Sequence, residues 1–498
     1  MSMHLNELIE RCALVPVQRG GIGNPIVLNI TYDSRKVTAG TLYVAIPGTK
    51  VHGDNFITDA IYHGAAVIIS ENSHPELSIP WLQVENVRAL LGELGKKLWH
   101  WNEEKATIVG ITGTNGKTTV AHLYESLFSH LHSPDNVWMF GTIQYHIDGN
   151  ITDATHTTPE ALEIFRRVGD GIKKPEVIVM EVSSHSLALD RIGGLKYDVA
   201  VFTNLTQDHL DFHQNMDAYY AAKLRLFDEY LKPDGYAIVN IDDTYGSRLV
   251  ADLEGKQILT YGRDTKADVR IISWECDWDG CRIEIDYKGK EMRFSSSLCG
   301  FFNIYNMAAL IAGGLVRRCT SRTIQSALDK VPTVNGRMDR IDLNAAFTVV
   351  VDYAHTPDAL INVLGTAKTI TRGRLLCVFG CGGDRDRKKR PLMGAAVAQW
   401  CDEAWVTSDN PRSERPETII QDIVDGIPLD FPQQVIPNRK DAIAAALQAA
   451  RPDDCLIIAG KGHETYQEIG GVKHHFDDKE VVRSLFADRR KEMQSYVE

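Results

Sequence analysis

The segment that most constrains the fold lies between residues 107 and 131. An apolar run at 107–111 is followed almost at once by Gly113-Thr-Asn-Gly116-Lys117-Thr118. Val120, Leu123, Tyr124, Leu127, Phe128 and Leu131 then recur at helical spacing. A strand, a glycine loop and a helix in this order surround phosphate groups with backbone N–H groups and a helix N-terminus. Lys117 would reach the β- and γ-phosphates of a nucleotide, and the Thr118 hydroxyl would help to hold Mg²⁺. The strict phosphate-loop pattern places its first glycine at position 111, which is Ile here. The loop is a shortened variant that starts at Gly113 and extends through Thr114, Asn115, Gly116, Lys117, Thr118 and Thr119.

From this segment to about residue 335 strand and helix patterns alternate, which favours a parallel sheet. Residues 270–294 instead alternate polar and apolar residues like antiparallel hairpins and read as an inserted edge sheet. The first hundred residues carry short β-like runs at 26–30, 42–46 and 66–69, and 99–105 reads as a junction. From 346 onward four apolar runs, 348–351, 375–379, 404–407 and 455–459, each end in a polar or glycine-rich segment. In open α/β sheets, ligands sit beyond such carboxyl ends. A length of 498 residues suits about three domains. The divisions expected are 1–102, 103–335 and 336–498.

Hydrophobic residues make up 44% and charged residues 24%, enough to bury real cores. A net charge of −12 argues against bulk nucleic-acid binding. Nine Cys without a CxxC pair suggest reduced thiols in a reducing compartment. The N-terminus lacks a basic region followed by an apolar one, and no apolar run approaches the ~18 residues of a membrane span. These features predict a cytoplasmic protein without membrane insertion.

Two further strand-like runs carry chemistry. The run at 177–180 ends in Glu181-Val-Ser-Ser-His185, and the run at 199–202 leads to Asp208-His209. A carboxylate at a strand tip beside a phosphate loop commonly binds Mg²⁺, so Glu181 and His209 are candidate metal ligands. Lys223, in the helical segment 219–227, reads from its spacing as a solvated lysine.

At this point the chain resembles the Mur ligases, which build the peptide stem of bacterial cell-wall precursors. The resemblance rests on TGTNGKTT (112–119), HTTPE (156–160), MEVSSHSL (180–187), FTNLTQDHLDFH (202–213), the YYAAK helix, GFFNIYN (300–306), NGRMDRID (335–342), VDYAHTPDAL (351–360), FGCGGDRDRKKRP (379–391), SDNPRSERP (408–416) and AGKGHETYQ (459–467). DSRKVTAGTLYVAIPG (33–48) extends it to the N-terminus, so the ordered set covers nearly the whole chain. It implies an α/β protein of three domains: an N-terminal UDP-binding domain, a central P-loop ATPase with a mostly parallel sheet and a C-terminal Rossmann-like domain. It also implies a monomer that uses ATP and Mg²⁺, forms an acyl phosphate on a substrate carboxylate, and closes its domains around three substrates.

Carried over by position, the resemblance assigns ATP contacts to 113–119 and to Asn303, Arg337 and His355. It assigns metal ligation to Thr118, Glu181 and His209, and a carbamate to Lys223, overriding the solvated reading. Lys117, Glu181, His209 and Lys223 form the expected catalytic set. Tyr32 and Ser34 correspond to uridine contacts, and Thr157, Thr158, Ser183 and Arg191 to contacts with the sugar-peptide. Positions 156 and 189 are His and Leu, where some relatives carry amides.

The amine is read from Asp409-Asn410-Pro411-Arg412. meso-Diaminopimelate differs from L-lysine by a distal carboxylate, which an arginine fork pairs bidentately. Arg412 is the candidate, with Arg385 a second. Asp409 and Glu464 could take the ammonium groups, Gly460 lines the same site, and Pro411 stiffens the loop. With lysine bound, Arg412 would be left unpaired. Taken alone, Asn-Pro also reads as a β-turn. Within the family, DNPR marks the members that add diaminopimelate to UDP-N-acetylmuramoyl-L-alanyl-D-glutamate, which makes these compounds and ATP the expected partners. Rival readings are a relative adding lysine, D-Ala-D-Ala or glutamate, an NTPase switch and a non-catalytic UDP-sugar-binding module. A switch would leave the Ser-Ser-His, DYAHTPDAL and GGDRD segments without purpose.

Overall fold

The computed structural model describes residues 2–48, 51–101, 106–170, 175–331 and 335–495. The division expected at 102/103 lies outside the described residues. The chain forms two compact units. The first comprises Met1–Thr112, Leu131–Ala200 and Ala222–Tyr236, and the second Gly113–His130, Val201–Ala221 and Ala237–Glu498.

The first unit holds a five-stranded sheet in the order Gln18–Gly20, Trp81–Gln83, Ala65–Ser70, Thr41–Val44, Asn29–Thr31. Its last four strands are mutually parallel. The β-like run expected at 26–30 is two short strands, Ile26–Val27 and Asn29–Thr31. A second row runs Asn150–Asp153, Gln144–Ile147, Val137–Phe140, Val177–Glu181, Thr107–Thr112. Its last three strands are parallel. All five residues of Val177–Glu181 are buried, as expected of a strand covered on both faces.

In the second unit, Gln257–Gly262 pairs in parallel with Val269–Asp277. Val269–Asp277, Gly280–Tyr287 and Lys290–Ser296 then form the antiparallel hairpins predicted from their alternation. Cys276 and Cys281 oppose each other across the first hairpin with Cα atoms 4.2 Å apart and form a disulfide. This corrects the expectation that all the cysteines are thiols: strand pairing brings together two residues that carry no CxxC signal. The other seven cysteines are free.

The same unit carries a six-stranded sheet ordered Asp339–Ile341, Thr348–Asp352, Cys455–Ala459, Leu375–Phe379, Glu403–Val406, Gln433–Val435. All but the first strand are parallel. Leu360, Leu364, Met393, Val397 and Ile423, from three helices, pack on one face. Ala442, Ile443, Leu447 and Val482, from two others, pack on the opposite face. This is a doubly wound α/β arrangement, and it directs several loops to the carboxyl edge of one sheet.

Candidate functional site

Strand Thr107–Thr112 leads through the glycine loop into helix Lys117–Ser129. The helix ends before Leu131, which is 46% exposed and does not continue the apolar face expected of it. Gly116 has φ +87° and Gly113 φ +151°, conformations that favour glycine. A Cβ on Gly113 would come within 1.9 Å of the Thr203 hydroxyl. Loop amides are held from a neighbouring segment: Thr114 N donates to the Asn204 carbonyl at 2.9 Å and Asn115 N to Asn204 Oδ1 at 2.8 Å. Lys117 Nζ donates to the Gly113 and Thr114 carbonyls at 3.0 and 2.8 Å, so its ammonium already lies over the loop.

A cavity of about 230 Å³ opens beside this loop within the second unit. Asn115, Gly116, Thr118 and Thr119 form one wall, Phe301, Phe302 and Tyr305 another, and Arg337 and Asp358 a third. Phosphate-binding backbone next to aromatic side chains suits a nucleotide. Asn303 is buried beneath the aromatic wall and accepts from Asn306 Nδ2 at 2.8 Å. Arg337 stacks over the Tyr353 ring at 4.9 Å. Its Nε has no hydrogen-bond partner among the described residues. His355 Nδ1 lies 2.8 Å from the Tyr353 carbonyl. Burial first, then the charge of Lys389, pushes the His355 pKa down to about 4. Asp208 counters its own burial through His209, His355 and Lys389, and its carboxyl stays below the usual range.

Thr118 and His209 belong to the second unit, and Glu181 and Lys223 to the first. The Glu181 carboxylate is fully buried and accepts from Thr142 N at 2.8 Å and Thr142 Oγ1 at 3.0 Å. His209 sits at φ +54° with Nε2 3.3 Å from Asp208. Lys223 is 1% exposed, and its Nζ lies 3.3 Å from Thr112 Oγ1. The solvated reading of this lysine is therefore corrected: its helix, Met216–Asp228, turns it inward toward the end of the strand that feeds the loop. Among the described residues no three His, Cys, Asp or Glu side chains gather into a metal cage. Mg²⁺ is typically held by one or two carboxylates together with substrate phosphates, and Thr118 and Glu181 each offer a hard oxygen of the kind that ion takes.

The sugar-peptide candidates fall together in the first unit. Thr158 Oγ1 donates to the Glu181 carbonyl at 2.8 Å and lies 3.4 Å from Ser183 Oγ. Thr157 accepts from Thr142 Oγ1 at 3.3 Å. Arg191 lies 3.8 Å from Glu160, which also pairs with Arg88. Burial, followed by Glu163 and Glu160, raises the Tyr32 phenol well above its usual range. Ser34 begins a short helical turn capped by Asp33. The His156 carbonyl accepts from the Tyr145 hydroxyl at 2.5 Å.

The amino-acid candidates gather at the carboxyl edge of the six-stranded sheet. Arg412 has φ +52°, and its Nη1 donates to the Gly383 carbonyl at 2.6 Å. Asn410 Nδ2 donates to Glu464 Oε2 at 2.7 Å. Burial and the nearby Asp409 raise the Glu464 carboxyl above its ordinary value. Gly460 has φ +114°, and a Cβ there would stand 2.6 Å from Asp409 Oδ2. Gly383 packs against the Pro411 carbonyl. Arg385 lies exposed on the same loop as Gly383. Two cations in this region escaped the sequence reading. Lys461 is fully buried, 3.2 Å from Glu464 and bonded to the Tyr466 carbonyl. Arg390 is fully buried between Glu414 and Asp422, at 2.7 and 2.9 Å. Each stands inside a motif quoted for the resemblance, but their burial has no local pattern that marks it.

Three family models match in order. These are the Mur ligase family catalytic domain at residues 27–98, the Mur ligase middle domain at 111–314 and the Mur ligase glutamate ligase domain at 336–462. A UDP-N-acetylmuramoyl-L-alanyl-D-glutamate–2,6-diaminopimelate ligase of Solibacter usitatus is 41% identical over 97% of this chain and 98% of its own length. The protein of that name from Aquifex aeolicus is 42% identical over 92% and 93%. A solved structure of a ligase of the same name is 31% identical, with a TM-score of 0.68, over 98% of this chain and 100% of the other.

Proposed function

The chain belongs to the Mur ligase family, and from that premise we propose that it is an ATP-dependent ligase joining meso-diaminopimelate to the D-glutamate carboxylate of UDP-N-acetylmuramoyl-L-alanyl-D-glutamate in peptidoglycan precursor synthesis. The observation that carries the choice of amine is the loop at the edge of the six-stranded sheet, where Asp409, Asn410 and Arg412 lie on one segment and Asn410 ties that segment to Glu464.

ATP transfers its γ-phosphoryl group to the substrate carboxylate, forming an acyl phosphate and ADP. The unprotonated amine of diaminopimelate attacks the acyl carbon. The tetrahedral intermediate then expels phosphate and leaves an amide. In this reading Lys117 and the loop of residues 113–119 hold the transferring phosphoryl group, with the Thr114 and Asn115 amides fixing the loop to Asn204. Asn303, Arg337 and His355 position the nucleotide. Tyr32, Ser34, Thr157, Thr158, Ser183 and Arg191 bind the UDP-sugar-peptide. Thr118, Glu181, His209 and Lys223, the last as a carbamate, would hold Mg²⁺. That ion would supply positive charge against the phosphate oxygens. Arg412, with Arg385 nearby, pairs with the distal carboxylate of the amino acid, while Asp409 and Glu464 accept from the ammonium group that does not react. Asn410, Pro411 and Gly460 shape that site.

The three family matches each fall within one of the proposed domains 1–102, 103–335 and 336–498. A nucleotide-linked substrate and a requirement for ATP support a cytoplasmic setting. No helix among the described residues is long and apolar enough to cross a membrane. Phosphate release with UDP-N-acetylmuramoyl-L-alanyl-D-glutamate tests the reading, with meso-diaminopimelate, L-lysine or D-Ala-D-Ala as the amine. Turnover with diaminopimelate alone is expected. Equal rates with lysine would overturn the choice of amine, and phosphate release without any amine would favour a switch.

A further inference from the structure

A second carboxylate lies against the arginine on which the choice of amine rests. Strand Tyr466–Ile469 pairs with Val472–His475 in a short hairpin, and its backbone is tied to the arginine loop. Arg412 N donates to the Glu468 carbonyl at 3.0 Å, and Gly470 N donates to the Arg412 carbonyl at 2.8 Å. Glu468 N donates to Asn410 Oδ1 at 2.9 Å, and Gln467 Nε2 to the Asp409 carbonyl at 2.6 Å. These bonds leave little freedom for the hairpin to slide along residues 409–412. They hold the Glu468 carboxylate 3.5 Å from Arg412 Nε, with the two side chains about a quarter exposed. The guanidinium Nη1 is turned to the Gly383 carbonyl.

We propose that Glu468 is a specificity-determining residue: an internal carboxylate that lies against the Nε edge of Arg412 and that the distal carboxylate of the incoming amino acid must displace. This rests on the reading of Arg412 as the partner of that carboxylate. A bidentate carboxylate needs Nη2 together with Nε or Nη1; Nη1 is turned to Gly383 and Nε faces Glu468, so the two acids compete for the Nε edge. An amino acid without a distal carboxylate leaves the Arg412–Glu468 pair intact. It then escapes the full penalty of stranding an unpaired guanidinium, and discrimination is weaker than Arg412 alone would impose. Glu468 thus loosens affinity for diaminopimelate and narrows its margin over lysine. The pair is partly exposed and makes one long contact, so its effect is small.

Steady-state kinetics on wild type, E468Q, R412A and the double variant test this, with diaminopimelate and with lysine as the amine. E468Q removes the charge and keeps the shape. The KM for diaminopimelate is expected to fall about two- to five-fold, the range of a partly exposed ion pair, with kcat little moved and the preference over lysine widened. In the R412A background the same change should have no effect on KM. A KM in E468Q that stays level or rises overturns the proposal; a rise would mean that Glu468 contacts the substrate ammonium instead. An equal fall in the R412A background also overturns it. If R412A itself leaves the KM for diaminopimelate unchanged, the reading of Arg412 fails, and the proposal with it. A raised KM in R412A, together with an E468Q change that leaves KM unmoved when Arg412 is present, removes the proposal alone.

Discussion

Replacing Arg439 by Met should destabilise the C-terminal sheet by about 3–5 kcal/mol, the cost of removing one partner of a buried ion pair. Arg439 and Asp478 are both 0% exposed. Nε and Nη2 reach the two Asp478 oxygens at 2.8 and 2.7 Å, and Nη2 also donates to the Ala459 carbonyl at 3.0 Å. Met keeps much of the aliphatic stem but leaves the carboxylate buried without its cation. Melting temperatures shift by roughly 2–4 °C per kcal/mol in domains of 150–250 residues, so a fall of about 6–20 °C is expected in the transition that reports this sheet. Differential scanning calorimetry reads the transition, and hydrogen exchange at the amides of Cys455–Ala459 assigns it to the sheet. Arg439→Met combined with Asp478→Leu should recover most of the loss, because apolar replacement of a whole buried pair is often neutral or better. A single variant within about 1 kcal/mol of wild type would refute the reasoning, as would a double variant no more stable than the single; either outcome would mean that water reaches Asp478 once the guanidinium is gone. Gly460 follows Ala459, so turnover of diaminopimelate should fall at temperatures where the fold still persists.

Lys223→Ala should abolish turnover and regain part of it with added short-chain carboxylates; full activity of the untreated variant would remove the carbamate role. Gly116→Ala forces a side chain into φ +87° and places a Cβ 2.6 Å from Asn306 Oδ1, so the KM for ATP should rise by an amount worth on the order of 1–2 kcal/mol, read by varying ATP at fixed cosubstrates. His355 and His463 each have a folded pKa lowered to about 4 by burial and neighbouring cations, so between roughly pH 4 and 6.5 the unfolded chain binds more protons than the folded one. Their contribution is fully present above pH 6.5 and is lost as pH falls toward 4; denaturant titrations across that range should show it, with a shallower acid limb in His355→Gln.

The parts legible in the sequence were those whose physics is local. The strand Thr107–Thr112, the glycine loop and the helix Lys117–Ser129 lie within two dozen residues, and hydrophobic period and backbone freedom announce each of them. The alternation in Val269–Asp277, Gly280–Tyr287 and Lys290–Ser296 likewise names its own hairpins. Periodicity alone ran one step too far at Leu131, because it does not report where a helix leaves the core.

Tertiary structure decided whatever depends on segments far apart in the chain. Lys223 has the local pattern of a surface lysine, and only the packing of its helix buries it. Cys276 and Cys281 carry no motif, and strand pairing brings their Cα atoms within 4.2 Å. Lys461 and Arg390 read as ordinary cations until the fold buries them against partly exposed carboxylates. Arg412 was visible as a residue, but its neighbours Gly383 and Glu468 lie 29 residues before it and 56 after it. The glycine loop of residues 113–119 could be read from sequence because a βα turn encloses its ligand with its own backbone. The mutual placement of the residues proposed to hold the amino acid could not, because strand order in the sheet sets the distances between their charges.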